Sequence, residues 1–338
     1  MRQWIVRPHH TDLVLVEAVQ RNLRFGEVRI RVHAASLNFR DQLLLGGRYP
    51  TSREEPVVPL SDGAGEVIAV GEGVTRVKVG DRVTATTITN WIDGRFEPSM
   101  AAGSIGFSVD GWLSEEVVLP ETALVVLPDA MSYRAAATLP CAGVTAWNAV
   151  IETARIGPDE TVLALGTGGV SMFAVQIAKL VGAQTIVTSS SDEKLERARA
   201  LGADIGVNYR TSPDWETRVR ELTGGRGVDL VIENAATLRQ SVQATRYGGT
   251  VAVIGMLAVL APGESRPNGD LTDFLRFGVI VTPILMGNRR MLTRMVNAFV
   301  RHHIEPVIDR EFTFDQAPAA YQALADAKHV GKLLITRG

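Results

Sequence analysis

The segment TVLALGTGGVSMFAVQIAKLVGA, residues 161–183, decides the fold of this chain. Its first five residues form a short apolar run, typical of a strand that is buried on both faces. Three glycines follow within four residues, and a helix with one apolar side begins behind them. Glycines let the backbone turn sharply and approach a ligand, and a helix N-terminus favours an anion. The segment therefore predicts a strand, a turn and a helix that together bind a diphosphate.

The turn matches the dinucleotide-binding fingerprint incompletely. The fingerprint has glycine at its first, third and sixth positions. Gly166 and Gly168 fill the first two of these positions, whereas Ser171 stands at the sixth. We predict that the contacts to the diphosphate come from the turn and the start of the helix, namely from Gly166, Thr167, Gly168, Gly169 and Val170.

Length and composition limit the class of protein. The chain has 338 residues, of which 46% are hydrophobic and 21% charged, so we expect about two domains with ordinary cores. A formal net charge of −2 gives no electrostatic reason to expect nucleic acid or a membrane as a partner. The N-terminal residues lack the apolar core of a signal peptide, and Cys141 is the only cysteine. These features favour a protein in a reducing, cytoplasmic setting.

The pattern of apolar residues changes near residue 125. Before it, strand-like runs such as 27–35 and 65–83 are separated by glycine turns, which favours an antiparallel, barrel-like β domain. After it, strands alternate with helices, which favours βαβ units in a doubly wound parallel sheet. The strands are predicted at 161–165, 184–188, 205–208, 228–233, 250–255 and 279–285, and the helices at 170–181, 192–201, 214–223 and 237–245.

The last fifty residues depart from this alternation. Helices are predicted at 288–303 and 315–327, and strands at 311–314 and 332–336. The polar segment 262–270 is predicted to be a connecting loop.

The end of the second strand of the parallel sheet indicates which dinucleotide fits. An acidic residue there binds the ribose hydroxyls of NAD, but this chain has Ser189, Ser190 and Ser191. Serine hydroxyls donate to a phosphate, and Lys194 adds a positive charge one helical turn later. The pattern favours NADP, although the serines could simply cap the helix. Asp192 is predicted to be the N-cap of that helix.

Several segments besides the glycine turn carry a family resemblance. The sequence closely resembles the medium-chain dehydrogenases/reductases, and within them the zinc-independent branch that is similar to quinone oxidoreductases. The similarity implies a GroES-like β domain and a Rossmann NADP-binding domain. Their expected bounds are 1–124, completed by about 300–338, and 125–299. The segments that carry the resemblance are ASLNFRDQLLLGGRYP (35–50), PLSDGAGEVIAVGEGVTRVKVGDRV (59–83), LPCAGVTAWNAV (139–150), GVDLVIENAA (227–236) and HIEPVIDREFTFDQAPAAYQALADAKHVGKLLI (303–335).

The resemblance also implies further cofactor-binding positions. Tyr209 would line the site of the 2′-phosphate beside Lys194. Residues after the last two strands of the parallel sheet would flank the nicotinamide, unless they only end those strands. These residues are Gly255, Met256, Leu285, Met286 and Gly287.

The zinc enzymes of this superfamily bind their catalytic metal through a cysteine, a His-Glu pair and a second cysteine. Asn38, the pair Ser61 and Asp62, and Cys141 stand at these places in this chain. An amide and a hydroxyl are poor zinc ligands, and residues 86–112 lack the four cysteines of the family's structural zinc site. We therefore expect no bound zinc.

The residues that would replace the metal in catalysis are Asn38, Tyr49 and Ser61. Asn38 would donate a hydrogen bond near the substrate oxygen, or it could bond its own backbone in a turn. Tyr49 could donate a proton or serve as a packed anchor of its loop. Ser61 could donate a hydrogen bond. Asp62 is expected to be structural and to pair with Arg40.

These observations predict an NADPH-dependent reductase of quinones or α,β-unsaturated carbonyl compounds. An enolate needs only a hydrogen bond and a proton, whereas the alkoxide of a simple alcohol is harder to stabilise without zinc. The alternatives are an NADP-dependent alcohol or carbonyl dehydrogenase, and an NADPH-binding structural or sensor protein with little turnover. The apolar segment 279–285 is expected to pair across a homodimer.

Overall fold

The computed structural model describes residues 1–8, 10–49, 54–254 and 276–337. Its strands are β1 (Arg2–Val6), β2 (Leu13–Glu17), β3 (Glu27–Ser36), β4 (Asp62–Val70), β5 (Arg82–Ala85), β6 (Glu116–Pro120), β7 (Leu124–Val126), β8 (Thr161–Leu165), β9 (Gln184–Ser189), β10 (Ile205–Asn208), β11 (Val228–Glu233), β12 (Thr245–Val253), β13 (Ile280–Pro283), β14 (Ile308–Thr313) and β15 (Lys332–Thr336). Its α-helices are α1 (Phe39–Leu45), α2 (Tyr133–Ala136), α3 (Val144–Trp147), α4 (Gly169–Leu180), α5 (Asp192–Ala200), α6 (Trp215–Leu222), α7 (Leu238–Ala244), α8 (Arg289–Arg301) and α9 (Ala317–Ala325).

The chain divides into two compact units. The first unit consists of Met1–Val144 and Met286–Gly338, and the second of Thr145–Leu285. The expected boundaries at 124 and 300 both lie inside the first unit. The first unit extends beyond these boundaries because α2 packs on β3 and β4, and α8 packs on β7. Both helices therefore belong to the unit that contains the antiparallel sheet.

The first unit is built on a mainly antiparallel sheet in the order β14–β15–β3–β4–β5–β7, and β6 also pairs with β3. Strand β3 explains how the sequence forms this sheet. Val28, Ile30 and Val32 are buried, while Arg29 and Arg31 alternate with them. This period of two is typical of a strand with one face in a core. The predicted run 65–83 forms two strands, β4 and β5, because the glycine-rich turn interrupts it.

The second unit contains a six-stranded parallel sheet in the order β10–β9–β8–β11–β12–β13. The strand order reverses between β8 and β11, and ligands bind at such a switch point in doubly wound sheets. All five residues of β8 are buried, as the apolar run predicted. The parallel and antiparallel sheets predicted from the sequence are therefore confirmed.

The remaining differences concern the ends of elements. Strand β12 begins at Thr245 rather than at residue 250, and β13 covers only Ile280–Pro283 of the predicted strand. The predicted loop 262–270 lies outside the described residues. No helix in the described ranges is long and apolar enough to cross a bilayer.

Candidate active site

The glycine turn of the second unit leaves its helix N-terminus open. Gly166 has φ +74°, a left-handed conformation that favours glycine, and it turns the chain out of β8. Gly168 is the N-cap of α4, and no side chain in the described part of the chain caps this helix. A Cβ on Gly166 or Gly168 would meet no heavy atom of the described residues within 4 Å. The first N–H groups of α4 have no partner within the helix, so the turn can bind an anion.

Ser171 explains why the fingerprint lacks its third glycine. Its hydroxyl is buried and donates to the carbonyl of Leu165 at 2.7 Å. The side chain of Asn234 donates to the same hydroxyl at 3.3 Å. Ser171 therefore ties α4 to the end of β8 with hydrogen bonds, where a glycine would act through close packing.

The residues predicted to select the cofactor follow the ends of two neighbouring strands. Ser189 ends β9, and its carbonyl accepts the backbone N–H of Tyr209 at 3.0 Å. The N-cap of α5 is Ser191, whose hydroxyl accepts the N–H of Lys194 at 3.4 Å. The structure thus brings Ser189, Ser190, Lys194 and Tyr209 to one end of the sheet.

The N-cap predicted at Asp192 is wrong. Asp192 is the first helical residue, and its carboxylate accepts a hydrogen bond from the side chain of Asn208 at 2.8 Å. The backbone N–H of Arg210 is bonded to the same Asn208 side chain at 3.0 Å. Arg210 is exposed, so it adds a positive charge next to Tyr209, and this residue was not predicted as part of the site.

The positions expected to flank the nicotinamide are only partly described. Gly255 and Met256 lie outside the described residues. Leu285 is partly exposed, and its carbonyl accepts the side-chain N–H of Asn148 at 3.0 Å. In the first unit, Met286 accepts hydrogen bonds through its sulfur, and a Cβ on Gly287 would overlap the side chain of Val144.

The first unit contains a buried polar cluster, which we call the Asn38 cluster and which consists of Ser36, Asn38, Asp62 and Lys332. The Nδ2 atom of Asn38 donates to Oδ2 of Asp62 at 2.9 Å, and Ser36 donates to the same oxygen at 3.2 Å. The Nζ atom of Lys332 donates to Oδ1 of Asn38 at 2.6 Å and lies 3.5 Å from Oδ2 of Asp62. Asn38, which we predicted as a catalytic residue, is therefore held on both ends of its amide.

Long-range strand pairing assembles this cluster. Ser36 pairs with Asp62 on β4 and with Leu334 on β15, so three strands meet there. Leu60 precedes the cluster with φ +73°, a strained conformation for a leucine. Gly106 and Gly111 allow the backbone to approach Leu60 so closely that a Cβ on either would overlap it. Close packing thus holds the bend that leads into Ser61 and Asp62.

Burial dominates the electrostatics around the Asn38 cluster. It raises the pKa of the Asp62 carboxyl, while the ammonium of Lys332 acts in the opposite direction. Burial also raises the pKa of Asp41 to about 7, although Arg40 opposes this shift. Asp41 accepts the backbone N–H of Asn38 at 2.7 Å. Burial raises the pKa of Cys141 to about 12, so this side chain is a neutral thiol.

Arg40 does not pair with Asp62 as expected. Its guanidinium lies 3.8 Å above the ring of Phe107, donates to Ser104 at 2.8 Å and contacts the sulfur of Met286. Asp62 is bonded to Lys332 instead, because β15 brings that lysine beside it. Arg40 therefore contributes a positive charge near Asp62 without a direct ion pair.

The other two predicted catalytic residues have different surroundings. The hydroxyl of Ser61 is fully buried, and no described residue forms a hydrogen bond with it. Tyr49 packs its ring 4.3 Å from that of Phe107 and 5.5 Å from the Arg40 guanidinium. Lys332 was not predicted as a site residue. The signal that could have found it is a lysine at the start of an otherwise apolar strand, since lysine is rarely buried without a partner.

Comparison with known proteins agrees with this fold. Residues 24–129 match the family model of the alcohol dehydrogenase GroES-like domain, and residues 169–305 match that of the zinc-binding dehydrogenases. A zinc-type alcohol dehydrogenase-like protein of Schizosaccharomyces pombe is 39% identical over 94% of this chain and 92% of its own length. The crystal structure of a putative alcohol dehydrogenase from Sinorhizobium meliloti is 40% identical with a TM-score of 0.90, and 99% of each chain is covered. A quinone oxidoreductase from Pseudomonas syringae is 29% identical with a TM-score of 0.83, covering 99% of this chain and all of its own.

The fold and the open phosphate turn define an oxidoreductase that uses a nicotinamide cofactor and acts on small molecules. The chain belongs to the medium-chain dehydrogenase/reductase superfamily.

Proposed function

We propose that this chain is an NADPH-dependent, zinc-independent reductase of quinones or α,β-unsaturated carbonyl compounds. The observation that carries the proposal is the Asn38 cluster. It places a lysine ammonium among the residues that, by resemblance, stand where zinc relatives have their metal ligands. The phosphate turn of the second unit binds the cofactor, and Asn38 of the first unit binds the substrate oxygen.

The donor set at these positions does not fit a zinc ion. The oxygen of Asn38 already accepts from Lys332, and the ammonium would repel a second cation beside Asp62. Cys141 offers a single thiol, whereas a zinc site needs at least three protein ligands of the thiolate, imidazole or carboxylate type. In the described part of the chain, no three His, Cys, Asp or Glu side chains lie together as a metal site. The reaction therefore proceeds without a zinc-bound oxygen.

Asn38 supplies the main contact to the substrate. Bound NADPH supplies the hydride that reduces the β-carbon of an enone or an equivalent carbon of a quinone. Negative charge then develops on the substrate oxygen, and the Nδ2 atom of Asn38 donates a hydrogen bond to it. The positive charges of Lys332 and Arg40 lie close enough to lower the pKa of Asp62 against the effect of burial. The same charges stabilise the negative charge that develops on the substrate oxygen.

The proton comes from a hydroxyl of the first unit or from water. Ser61 is buried without a hydrogen-bond partner among the described residues, so its O–H is free to donate to the substrate. Tyr49 lies against Arg40 and offers a phenolic proton. Either group completes the reduction after the hydride has been transferred.

The preference for NADPH rests on the ends of β9 and β10. Ser189 stands where an acidic residue would bind the ribose of NAD, and neither Ser189 nor Ser190 carries a negative charge. Lys194 and Arg210 add positive charge to the same end of the sheet. A 2′-phosphate gains charge-assisted hydrogen bonds there, each contributing about 1.5–3 kcal/mol.

We also propose a homodimer that forms through β13. Among the described strands this one is the last in the order of the parallel sheet, and Ile280 on it is 57% exposed. An exposed apolar strand at a sheet edge pairs readily with a second copy. Pro283 removes one backbone donor, so the pairing omits a hydrogen bond there. Light scattering should give twice the chain mass, and Ile280→Lys should shift it to the monomer.

The activity is tested with purified protein and a panel of substrates. We expect NADPH oxidation with 1,4-benzoquinone or 2-cyclohexenone, and weak NADP+ reduction with primary and secondary alcohols. Asn38→Ala should lower kcat by about 100-fold, because it removes a donor to the developing charge. Asn22→Ala, at an exposed position of the same unit, is the matched control. Turnover with alcohols alone would support the dehydrogenase alternative, and cofactor binding without any turnover would support a sensor or structural role.

A further inference from the structure

Lys332 is a fully satisfied buried cation. Its side chain is 3% exposed, and an ammonium at such a place is costly unless each N–H has an acceptor. Nζ donates to the carbonyl of Leu37 and to Oδ1 of Asn38, each at 2.6 Å. The third partner is Oδ2 of Asp62 at 3.5 Å. Two of these contacts go to the segment that carries Asn38, and the third goes to Asp62 at the start of β4.

These contacts fix the orientation of the Asn38 amide. The oxygen of the amide faces the ammonium, and its nitrogen faces the carboxylate of Asp62 at 2.9 Å. The flipped amide would place its NH2 group against Lys332 and its oxygen against Asp62, which makes two repulsive contacts. Asp62 is the only acceptor that Nδ2 contacts among the described residues, so one of its two hydrogens remains for a ligand.

We infer that Lys332 is a positioning residue, which holds the Asn38 amide so that its second N–H is presented to the substrate oxygen. The inference rests on the proposed function, because that function assigns the hydrogen bond to Asn38. It adds that the lysine does more than neutralise Asp62. A counter-ion would need only its charge, whereas a positioning residue needs a donor aimed at Oδ1 of Asn38.

Two double variants separate these roles. Lys332→Met with Asp62→Asn removes both charges and also the donor to Asn38. Lys332→Gln with Asp62→Asn removes the same charges, but the glutamine amide still donates to Oδ1 of Asn38. Neither variant leaves an unpaired buried charge, so both avoid the main cause of destabilisation. We expect similar melting temperatures for the two.

The kinetic readout is the ratio of kcat between the two double variants. We expect the methionine variant to have a kcat about 100-fold lower than the glutamine variant with a smaller change in KM, since the contact strengthens in the transition state. The single variant Lys332→Arg, which keeps charge and donors, should retain more activity than Lys332→Met. Equal kcat values in the two doubles would overturn the inference and leave Lys332 as a counter-ion.

A second readout does not depend on activity. The side-chain NH2 signals of Asn38 in protein labelled with ¹⁵N-asparagine are identified by their loss in Asn38→Asp. They should stay near their wild-type positions in the glutamine variant and move or broaden in the methionine variant. Identical signals in both variants would overturn the inference even if the wild type reduces quinones. Absence of turnover in the wild type would refute the proposed function, and these signals would still decide the orientation of Asn38.

Discussion

Asp41 should make the stability of this protein depend on pH. Its carboxyl is fully buried beside Asn38, and burial raises its pKa to about 7, against about 3.9 in an unfolded chain. Because the folded pKa is the higher one, the protonated group favours folding, and this contribution is complete below about pH 4. It is lost as the pH rises to 7. Linkage gives a penalty of about 1–2 kcal/mol at pH 5 and about 4 kcal/mol at pH 8.

Asp41→Asn isolates this effect, since the amide oxygen can still accept the backbone N–H of Asn38. Urea unfolding at pH 5 and pH 8 measures the free energy of unfolding for the variant and the wild type. We expect the difference in the free energy of unfolding to move in favour of the variant by about 2–3 kcal/mol between the two pH values. Asp159→Asn, at an exposed turn, should follow the wild type at both. A variant whose pH dependence equals that of the wild type would refute the assignment of a raised pKa to Asp41.

Three further predictions concern other parts of the molecule. Lys194→Ala should lower kcat/KM for NADPH by about 10- to 150-fold and leave kcat/KM for NADH unchanged. Adding Ser189→Asp should reverse the preference between the two cofactors. A ratio of kcat/KM for NADPH to that for NADH that stays unchanged in steady-state kinetics would refute this cofactor site. Cys141 should resist iodoacetamide at pH 8 in the folded protein, because burial raises its pKa to about 12. It should react fully in urea, and mass spectrometry measures the labelling in both states. Rapid labelling of the folded form would contradict the burial of this thiol. Gly287→Ala should lower the melting temperature by several degrees, because its Cβ would overlap a neighbouring valine. Gly157→Ala should not, because its Cβ would meet no described atom within 4 Å. Equal melting temperatures would show that the packing around Gly287 adjusts freely.

The sequence predicts the parts of this molecule that depend on local patterns. The apolar run of β8 and the glycines after it determine a strand, a turn and a helix through contacts among neighbouring residues. The same local logic locates Ser189 and Lys194 on either side of a helix start. The predicted N-cap of α5 is wrong by one residue, because serine and aspartate are both good N-caps and Ser191 and Asp192 are neighbours. The hydrogen bond that Asp192 accepts comes from Asn208 on another strand, which a local pattern does not show.

The polar cluster depends on contacts that no local pattern contains. Lys332 reaches Asn38 across 294 residues of sequence, since β15 returns to pair with β3. Arg40 is much closer to Asp62 along the chain, which made it the expected partner. Its guanidinium packs on Phe107 instead, in an arrangement that depends on the fold of the 104–111 segment. The residue types at the expected zinc positions were enough to predict that the zinc ligands are missing. The pairing of β15 with β3 is needed to see that Lys332 is the cation beside Asp62.

The most direct test of the account is the zinc content of fully active protein. Purified chain is dialysed against 1,10-phenanthroline, its zinc is measured by mass spectrometry, and NADPH oxidation with a quinone or enone is assayed on the same sample. We expect far less than one zinc per chain and an unchanged kcat. One zinc per chain, with activity lost on its removal and restored on its return, would contradict it.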